Sequence, residues 1–337
     1  MIDLGTGKIP ARLLVVVGSD SGGKATSSGG VRVAGNSDVV KFVRGSVPFE
    51  QLNLGIQLKA AKQAVKAQGA AGLSHYECVL NLVTDPDQNP RTLEMLARML
   101  RGYRGRVINR PEALLRTTRD QVAKRLAGIA GLRVPRIIRL RNPKLGAAST
   151  AAARAGLAFP LIVRRAGTHT GKIVAVVDGP GELDAAAAGP GEFFIIEYVD
   201  FRSDDGLYRK YRLWCLGGTT IFRHLIISDQ WNVHVNERLR FMLDRDALIA
   251  EEVRLLDRPE GALQQNVHDA FDAVKERLGL DFFGMDFAVD RDGQVLLFEA
   301  NATMNFFPLA THPKFSHLDT IHGPAQAAFQ RMLFPEP

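Results

Sequence analysis

Asp286, Glu299 and Asn301 carry the clearest chemical signal in this chain of 337 residues. They lie between Gly284 and Asn301, in two apolar runs around an Asp292-Gly293 turn signal, a pattern that predicts a β-hairpin. With those two residues as the loop, Arg291 pairs with Gln294, Val289 with Leu296, Phe287 with Phe298, and Asp286 falls opposite Glu299. Alternation then puts Asn301 on the Glu299 face. Like charges opposed at roughly 5 Å between Cβ atoms destabilise a sheet unless something cationic lies between them. A hard divalent cation answers that need: magnesium takes oxygen ligands, commonly one or two carboxylates, and leaves positions for water and a substrate's phosphate. A solvated hairpin whose acids merely align is the alternative, and a register slip of one residue would undo the geometry.

Two further segments offer what a nucleotide needs. Phe159 to Lys172 is a strand ending in Arg164 and Arg165 that passes into a small loop, Ala166-Gly-Thr-His-Thr-Gly-Lys172. Backbone amides freed by Gly167 and Gly171 can approach phosphate oxygens, with Thr168 beside them and charge from Arg164 and Lys172. His169, at the loop tip, reads as a solvent-facing or phosphate-proximal group, since no second His or Cys stands at metal-ligand spacing. A plain hairpin turn between Val163 and Ile173 is the competing reading. Phe193 to Asp200 is an apolar strand that turns polar at Glu197-Tyr-Val-Asp200 and runs into Phe201-Arg-Ser-Asp-Asp-Gly206. A flat base can lie against such a strand while a nearby acid holds ribose hydroxyls; an ordinary core strand with its loop explains the pattern equally well. Near the N-terminus, Gly18 to Lys24 has the spacing of a phosphate-binding P-loop, but Ala25 stands where a metal-ligating Ser or Thr belongs and no helix signal follows. A loop at the strand's C-terminal end, reaching over the acceptor site, is preferred.

The elements that must position these groups alternate at first. Strands are expected at Leu13 to Val17, Val39 to Val43, Cys78 to Val83 and Val107 to Asn109, with helices from Phe49 to about Ala67 and from Pro90 to Leu100, which argues for a parallel, helix-covered sheet. Pro111 opens a helical run through Gly128. A second unit has strands near Arg136 to Leu140, Leu161 to Val163 and Ile173 to Val177, an Ala-rich helix around Ala147 to Ala155 and a short one at Ala185 to Ala188. Strands dominate after Phe193, at Phe193 to Tyr198, Tyr211 to Leu216 and Thr220 to Ile227. Leu263, Val267, Phe271, Val274 and Leu278 recur at helical spacing just before the acidic hairpin.

Composition bounds the remainder. At 46% hydrophobic residues the chain can bury a large core across two or three subdomains. No stretch reaches the roughly 18 apolar residues of a membrane span, and the first residues lack a secretory signal, so no membrane partner and a cytoplasmic location are expected. Cys78 and Cys215 both lie in apolar runs and read as buried free thiols. The formal charge of +7 is concentrated between Arg91 and Lys144, where 15 Lys or Arg face three acids. No zinc-finger, RNP-type or GXXG signature accompanies that charge, which disfavours nucleic acid as a partner. Arg202, Arg209, Arg223 and Arg238 are spare cations suited to an anionic substrate, and Trp231 and His234 are candidates for the pocket wall.

The order of basic strand and Gly loop, Glu197-Tyr-Val-Asp200, the Arg-bearing strand Tyr211-Arg-Leu-Trp214, Gly284-Met-Asp-Phe287 and Phe298-Glu-Ala-Asn301 resembles the ATP-grasp superfamily of carboxylate-amine ligases, which includes glutathione synthetase and ribosomal-protein glutamate ligases. The resemblance covers about Val107 to Asn305. It implies an α/β chain in which a Rossmann-like N-terminal domain (1–110) precedes a two-lobed ATP-grasp α+β fold, with a small lobe carrying the phosphate loop (111–200) and a large lobe carrying the metal site (201–337). It further implies an ATP-dependent ligase working through an acyl phosphate. Asp286, Glu299 and Asn301 would hold two Mg2+ ions, or Mn2+, with Glu299 bridging. Arg119 and Arg164 would bind phosphate together with Gly167, Thr168, His169, Gly171 and Lys172. Glu197, Tyr198 and Val199 would line the adenine slot, Asp204 or Asp205 would meet ribose, and Arg212 with Lys172 would act on the transferred phosphoryl group as catalytic residues. The partners implied are small-molecule or peptide carboxylates and amines, and a homodimer is a common arrangement among similar ligases. This chain reads Arg164-Arg165 where relatives often read Lys-Pro, and Ala302-Thr-Met-Asn305 where many carry Pro-Gly. A nucleotide-binding module without ligase turnover and a phosphotransferase on the same scaffold stay open as alternatives.

Overall fold

A computed structural model describes residues 13–21, 24–27, 30–42, 47–55, 72–167 and 175–335. β1 (Leu13–Val17) is buried along its whole length, as a strand covered on both faces must be. After the small antiparallel hairpin of β2 (Lys24–Ser27) and β3 (Gly30–Val33), β4 (Phe49–Asn53), β5 (Cys78–Asn81) and β6 (Arg106–Ile108) join β1 in a parallel sheet of order β4-β1-β5-β6. The Pro90–Met99 helix buries Leu93, Leu96 and Met99, and the Asp20 carboxylate accepts from Arg91 N at 3.0 Å and Thr92 N at 2.8 Å, satisfying two amides of its first turn.

Two expectations fail in this sheet. The strand expected at Val39 to Val43 is not found over Val39–Phe42, which form a 3-10 turn that buries Val39 and Phe42, three residues apart; an apolar run so short does not distinguish the two conformations, and Val43 lies outside the described residues. The helix expected from Phe49 begins instead with β4, where pairing to β1 overrides a spacing that suited a helix; residues 56–71 lie outside the described residues. The run from Pro111 is also divided, into Pro111–Leu114 and Arg119–Leu126. Thr117 Oγ1 donates to Leu114 O at 2.7 Å and Thr118 Oγ1 to Asp120 Oδ1 at 2.9 Å, local bonds that compete with a continuous helix.

β7 (Leu132–Arg133) leads into a second sheet, antiparallel throughout, made of β8 (Ile137–Arg141), β9 (Leu161–Arg165), β10 (Ala175–Val177) and β11 (Glu192–Glu197) in the order β10-β9-β11-β8. One face packs Leu161, Val163, Phe193 and Ile195 against the helices Ala147–Arg154 and Pro180–Ala186. Period-two alternation turns Ile162, Arg164, Phe194 and Ile196 to the other face, where they wall a cavity. The third sheet comprises β12 (Tyr208–Leu216), β13 (Thr219–Ser228), β14 (Phe282–Val289) and β15 (Val295–Asn301), in the order β13-β12-β14-β15-β7. Only the β15–β7 pairing is parallel in this sheet. The expected helix is Gln265–Leu278, which buries Val267, Phe271, Val274 and Leu278 beneath it and ends at Gly279, whose φ of 58° suits a left-handed helix stop. Among the described residues no helix is long and apolar enough to cross a membrane.

Candidate active site

The acidic hairpin forms, with a different loop from the one the turn signal suggests. Asp290 N donates to Gln294 O at 2.9 Å, Gly293 N to Asp290 O at 3.0 Å, and the Asp290 carboxylate accepts from Gln294 N at 2.8 Å, so the loop spans Asp290 to Gln294 with Gly293 at φ 72°. Val289 therefore pairs with Val295 and Phe287 with Leu297, one residue away from the expected Leu296 and Phe298, and Arg291 does not pair with Gln294. A register shift between Asp286 and Phe287 absorbs the extra residue on β15 and restores Asp286 opposite Glu299. On the other side, Asp286 pairs with Arg212 of β12, and Arg212 with His224 of β13. A row of polar side chains thus crosses four strands: His224, Arg212, Asp286, Glu299. A second irregularity, between Arg212 and Leu213, lies beside the same row.

The two acids tolerate one another because each has its own cations. Asp286 is 2% exposed and receives Arg212 Nε at 2.5 Å, Arg212 Nη2 at 2.8 Å and Lys210 Nζ at 2.8 Å. Burial alone would raise its pKa, but Arg212 and Lys210 outweigh that and hold it below the usual carboxylate value. Arg212 is held in its charged form against burial chiefly by Asp286. Glu299 receives Arg119 Nη2 at 2.8 Å and Asn301 Nδ2 at 2.7 Å, and Arg119 Nη1 donates to Phe298 O at 2.7 Å. Protein cations thus already relieve the facing charges that a divalent cation was expected to relieve. Among the described residues no cluster of three or more His, Cys, Asp or Glu side chains could hold a metal, leaving two carboxylates and the Asn301 amide as the candidate donors.

The cavity above this row is bounded by the second sheet through Ile162, Arg164, Phe194 and Ile196, and by the third through Lys210, Glu299, Ala300 and Asn301. Asp85, Pro86 and Asp87, in the loop that follows β5, also line it. Arg164 has no hydrogen-bond or ion-pair partner among the described residues; burial first and Arg119 second depress its pKa to about 10, so it stays cationic at neutral pH. Gly167 lines the cavity at φ 70°, its carbonyl accepting from Gln88 Nε2 at 3.0 Å. Thr168, His169, Gly171 and Lys172 lie outside the described residues.

Glu197, Tyr198 and Val199 all line the cavity. The Glu197 carboxylate accepts from Arg136 N at 3.0 Å, and the Tyr198 ring packs edge-on against Trp231 at 5.5 Å. Asp204 and Asp205 do not line it, contrary to the ribose role expected of them. Asp204 is exposed with Arg291 Nε 3.6 Å away, and Asp205 is gripped by Arg209 at 2.9 and 2.8 Å. Arg212 likewise does not line the cavity: it lies beneath, as the partner of Asp286. Sequence reasoning missed Lys210, although its place two residues before Arg212 on a strand was the available signal. At the N-terminus Lys24 opens β2, not a helix, and Gly18 N donates to Asn36 Oδ1 at 3.1 Å, so this segment lacks the framework of a P-loop.

No protein-family model matches the chain, and no curated protein matches it in sequence. Solved structures do. The VanG D-Ala:D-Ser ligase from Enterococcus faecalis superposes with a TM-score of 0.52 at 15% identity, covering 94% of this chain and 99% of that one. The D-alanine–D-alanine ligase from Bacillus anthracis, complexed with ATP, gives a TM-score of 0.52 at 15% identity, covering 96% of each chain. The chain has the mixed α/β fold of these ligases over nearly its whole length.

Proposed function

We propose that this chain is an ADP-forming, ATP-dependent ligase that joins a carboxylate to an amine. The observation that carries the reading is Glu299, paired with the buried Asp286 beneath it, at one wall of a cavity whose opposite wall holds the guanidinium of Arg164, which has no hydrogen-bond or ion-pair partner among the described residues. Fold likeness to ligases, one of them solved with ATP, supports it. In this reading residues 1–110 are a Rossmann-like domain, 111–200 the small lobe and 201–337 the large lobe, with the nucleotide in the cleft between lobes. The base lies near Tyr198 and Val199, and Arg164 and Arg119 meet the phosphates, with Lys172 of the Gly loop assigned to the same task.

The donor set fits a hard divalent cation: Asp286 and Glu299 offer carboxylate oxygens from paired strand positions, and Asn301, bonded to Glu299 at 2.7 Å, adds an amide oxygen. When bound, magnesium would neutralise charge on the phosphates. The residues of the chain do the rest by positioning and by fixed charge. Arg164 holds the phosphate end of the nucleotide, while Arg212 and Lys210 keep Asp286 ionised and oriented. A substrate carboxylate oxygen attacks the γ-phosphorus, the bond to the β,γ-bridging oxygen breaks, and ADP leaves. The amine then attacks the acyl carbon of the resulting acyl phosphate, inorganic phosphate departs, and the amine's proton passes to solvent.

The test is ADP release from ATP with pooled carboxylates and amines. The proposal predicts release that needs both pools and yields phosphate and an amide. A stable phosphorylated product formed without any amine would point to a phosphotransferase, and ATP binding without ADP release across a broad pool to a recognition module.

A further inference from the structure

Of the three donors assigned to a divalent cation, Glu299 and Asn301 line the cavity and Asp286 does not. Lys210 lines it, with Nζ 2.8 Å from Asp286 Oδ2. The Lys210 side chain is 22% exposed and that of Asp286 3%, so the ammonium is the part of this pair that a solute in the cavity meets. Strand alternation places it there: Lys210 stands two residues before Arg212 on β12, on the same face, and Arg212 pairs with Asp286 across β12 and β14. Arg212 takes one position on each Asp286 oxygen and Lys210 a second on Oδ2, which leaves about one of a carboxylate's roughly four lone-pair positions, on Oδ1. Glu299 Oε1 already accepts from Arg119 Nη2 and Asn301 Nδ2, and Asn301 Oδ1 from Thr303 N at 2.8 Å.

We propose that the site takes a single divalent cation with its nucleotide, and that the Lys210 ammonium stands on Asp286 in place of the second ion that the resemblance implies. The inference rests on the nucleotide reading of the cavity. Magnesium is held by one or two carboxylates together with phosphate, and the open positions on this donor set suffice for one such ion. A second ion would have to share Asp286 with two cations already bonded to it. Charge points the same way. Arg164, Arg119, Lys210 and Arg212 set four positive groups against Asp286 and Glu299, and Arg164 lies within electrostatic reach of both acids and of Arg119. A nucleoside triphosphate brings about four negative charges at neutral pH. One magnesium ion then balances the assembly, whereas a second adds unmatched charge beside the buried Asp286, where unpaired charge is costly. Among the cavity's other charges, Asp87 is matched by Arg139 at 2.7 Å and Glu197 by Arg136 at 3.3 Å, and Asp85 and Arg165 are opposite in sign. A lysine ammonium has three N–H donors; with one on Asp286, two remain for phosphate oxygens, the contacts an ion in that place would make.

The test counts ions on the full chain by equilibrium dialysis against Mn2+ and the non-hydrolysable β,γ-imido analogue of ATP. Nucleotide is read by absorbance and manganese by electron paramagnetic resonance after acid release, and the excess of each beside the protein gives ions per bound nucleotide. The original chain should hold one Mn2+ per nucleotide. Lys210→Arg, which keeps the charge, should also hold one, and Lys210→Met, which removes it, should admit a second. Two ions in the original chain, or a count that stays at one in folded Lys210→Met, would overturn the inference. Should Lys210→Met not fold, the original chain and Lys210→Arg still decide, since two ions in either count against Lys210. Nucleotide bound with two ions removes this inference alone; no nucleotide bound to the original chain removes the ligase reading, and this inference falls with it.

Discussion

At Arg164 a half-buried guanidinium stands in the cavity wall with no hydrogen-bond or ion-pair partner among the described residues, and the charges of Glu299 and Asp286 act against the burial and Arg119 that lower its pKa. Replacing it by methionine should raise the KM for ATP by one to two powers of ten, from loss of a charge-assisted bond of about 1.5–3 kcal/mol. The thermal midpoint should change little, since no hydrogen bond or ion pair among the described residues is lost; an unchanged KM would show that phosphate does not bind there. Asp286 behaves oppositely. Asp286→Asn strands Arg212 and Lys210 and should destabilise the fold by about 3–5 kcal/mol in urea titrations. Because its folded pKa is lowered, the stability Asp286 contributes is present above the unfolded value near pH 4 and lost as pH falls through the lower folded value. The variant should therefore lose less stability than the original chain over that acidic range, and parallel pH profiles for the two would contradict the assignment.

The hairpin shows at the scale of elements what was legible in the sequence. Apolar runs and a turn signal correctly set Asp286 against Glu299, yet the loop and the bulge were hidden because Asp290's side-chain bonds, not the Asp292-Gly293 pair alone, define the turn. The two departures offset one another at the pair that matters. Gly293 is the backbone requirement of this loop: Gly293→Ala puts a side chain at φ 72° and should destabilise the fold by about 1–2 kcal/mol while ATP affinity is kept. The Gln265–Leu278 helix was readable because it is long and periodic. β4 was not, since a half-exposed strand at a sheet edge owes its state to pairing with β1 and carries little pattern of its own. Asp204 and Asp205 looked suited to ribose by position in the chain, and only the fold turns them to Arg291 and Arg209.

Contacts far apart in sequence hold the sheets together across the whole molecule, and none could be foreseen. Asn109, fully buried at φ 55°, donates from Nδ2 to Phe282 O at 2.8 Å and accepts on Oδ1 from Asp281 N at 2.8 Å, tying the end of β6 to the start of the acidic strand. Asn109→Ala leaves those groups unpaired and should lower unfolding stability by about 2–4 kcal/mol in urea, with ATP affinity falling only if the joint also positions the site. The central claim is that Asp286 and Glu299 unite metal and nucleotide. It is tested most directly by calorimetric titration of ATP into the protein with magnesium present and after chelation, for the original chain and Glu299→Gln. The account predicts tight binding that requires magnesium and weakens at least tenfold in the variant. Equal ATP affinity with and without magnesium, unaltered in Glu299→Gln, would contradict it.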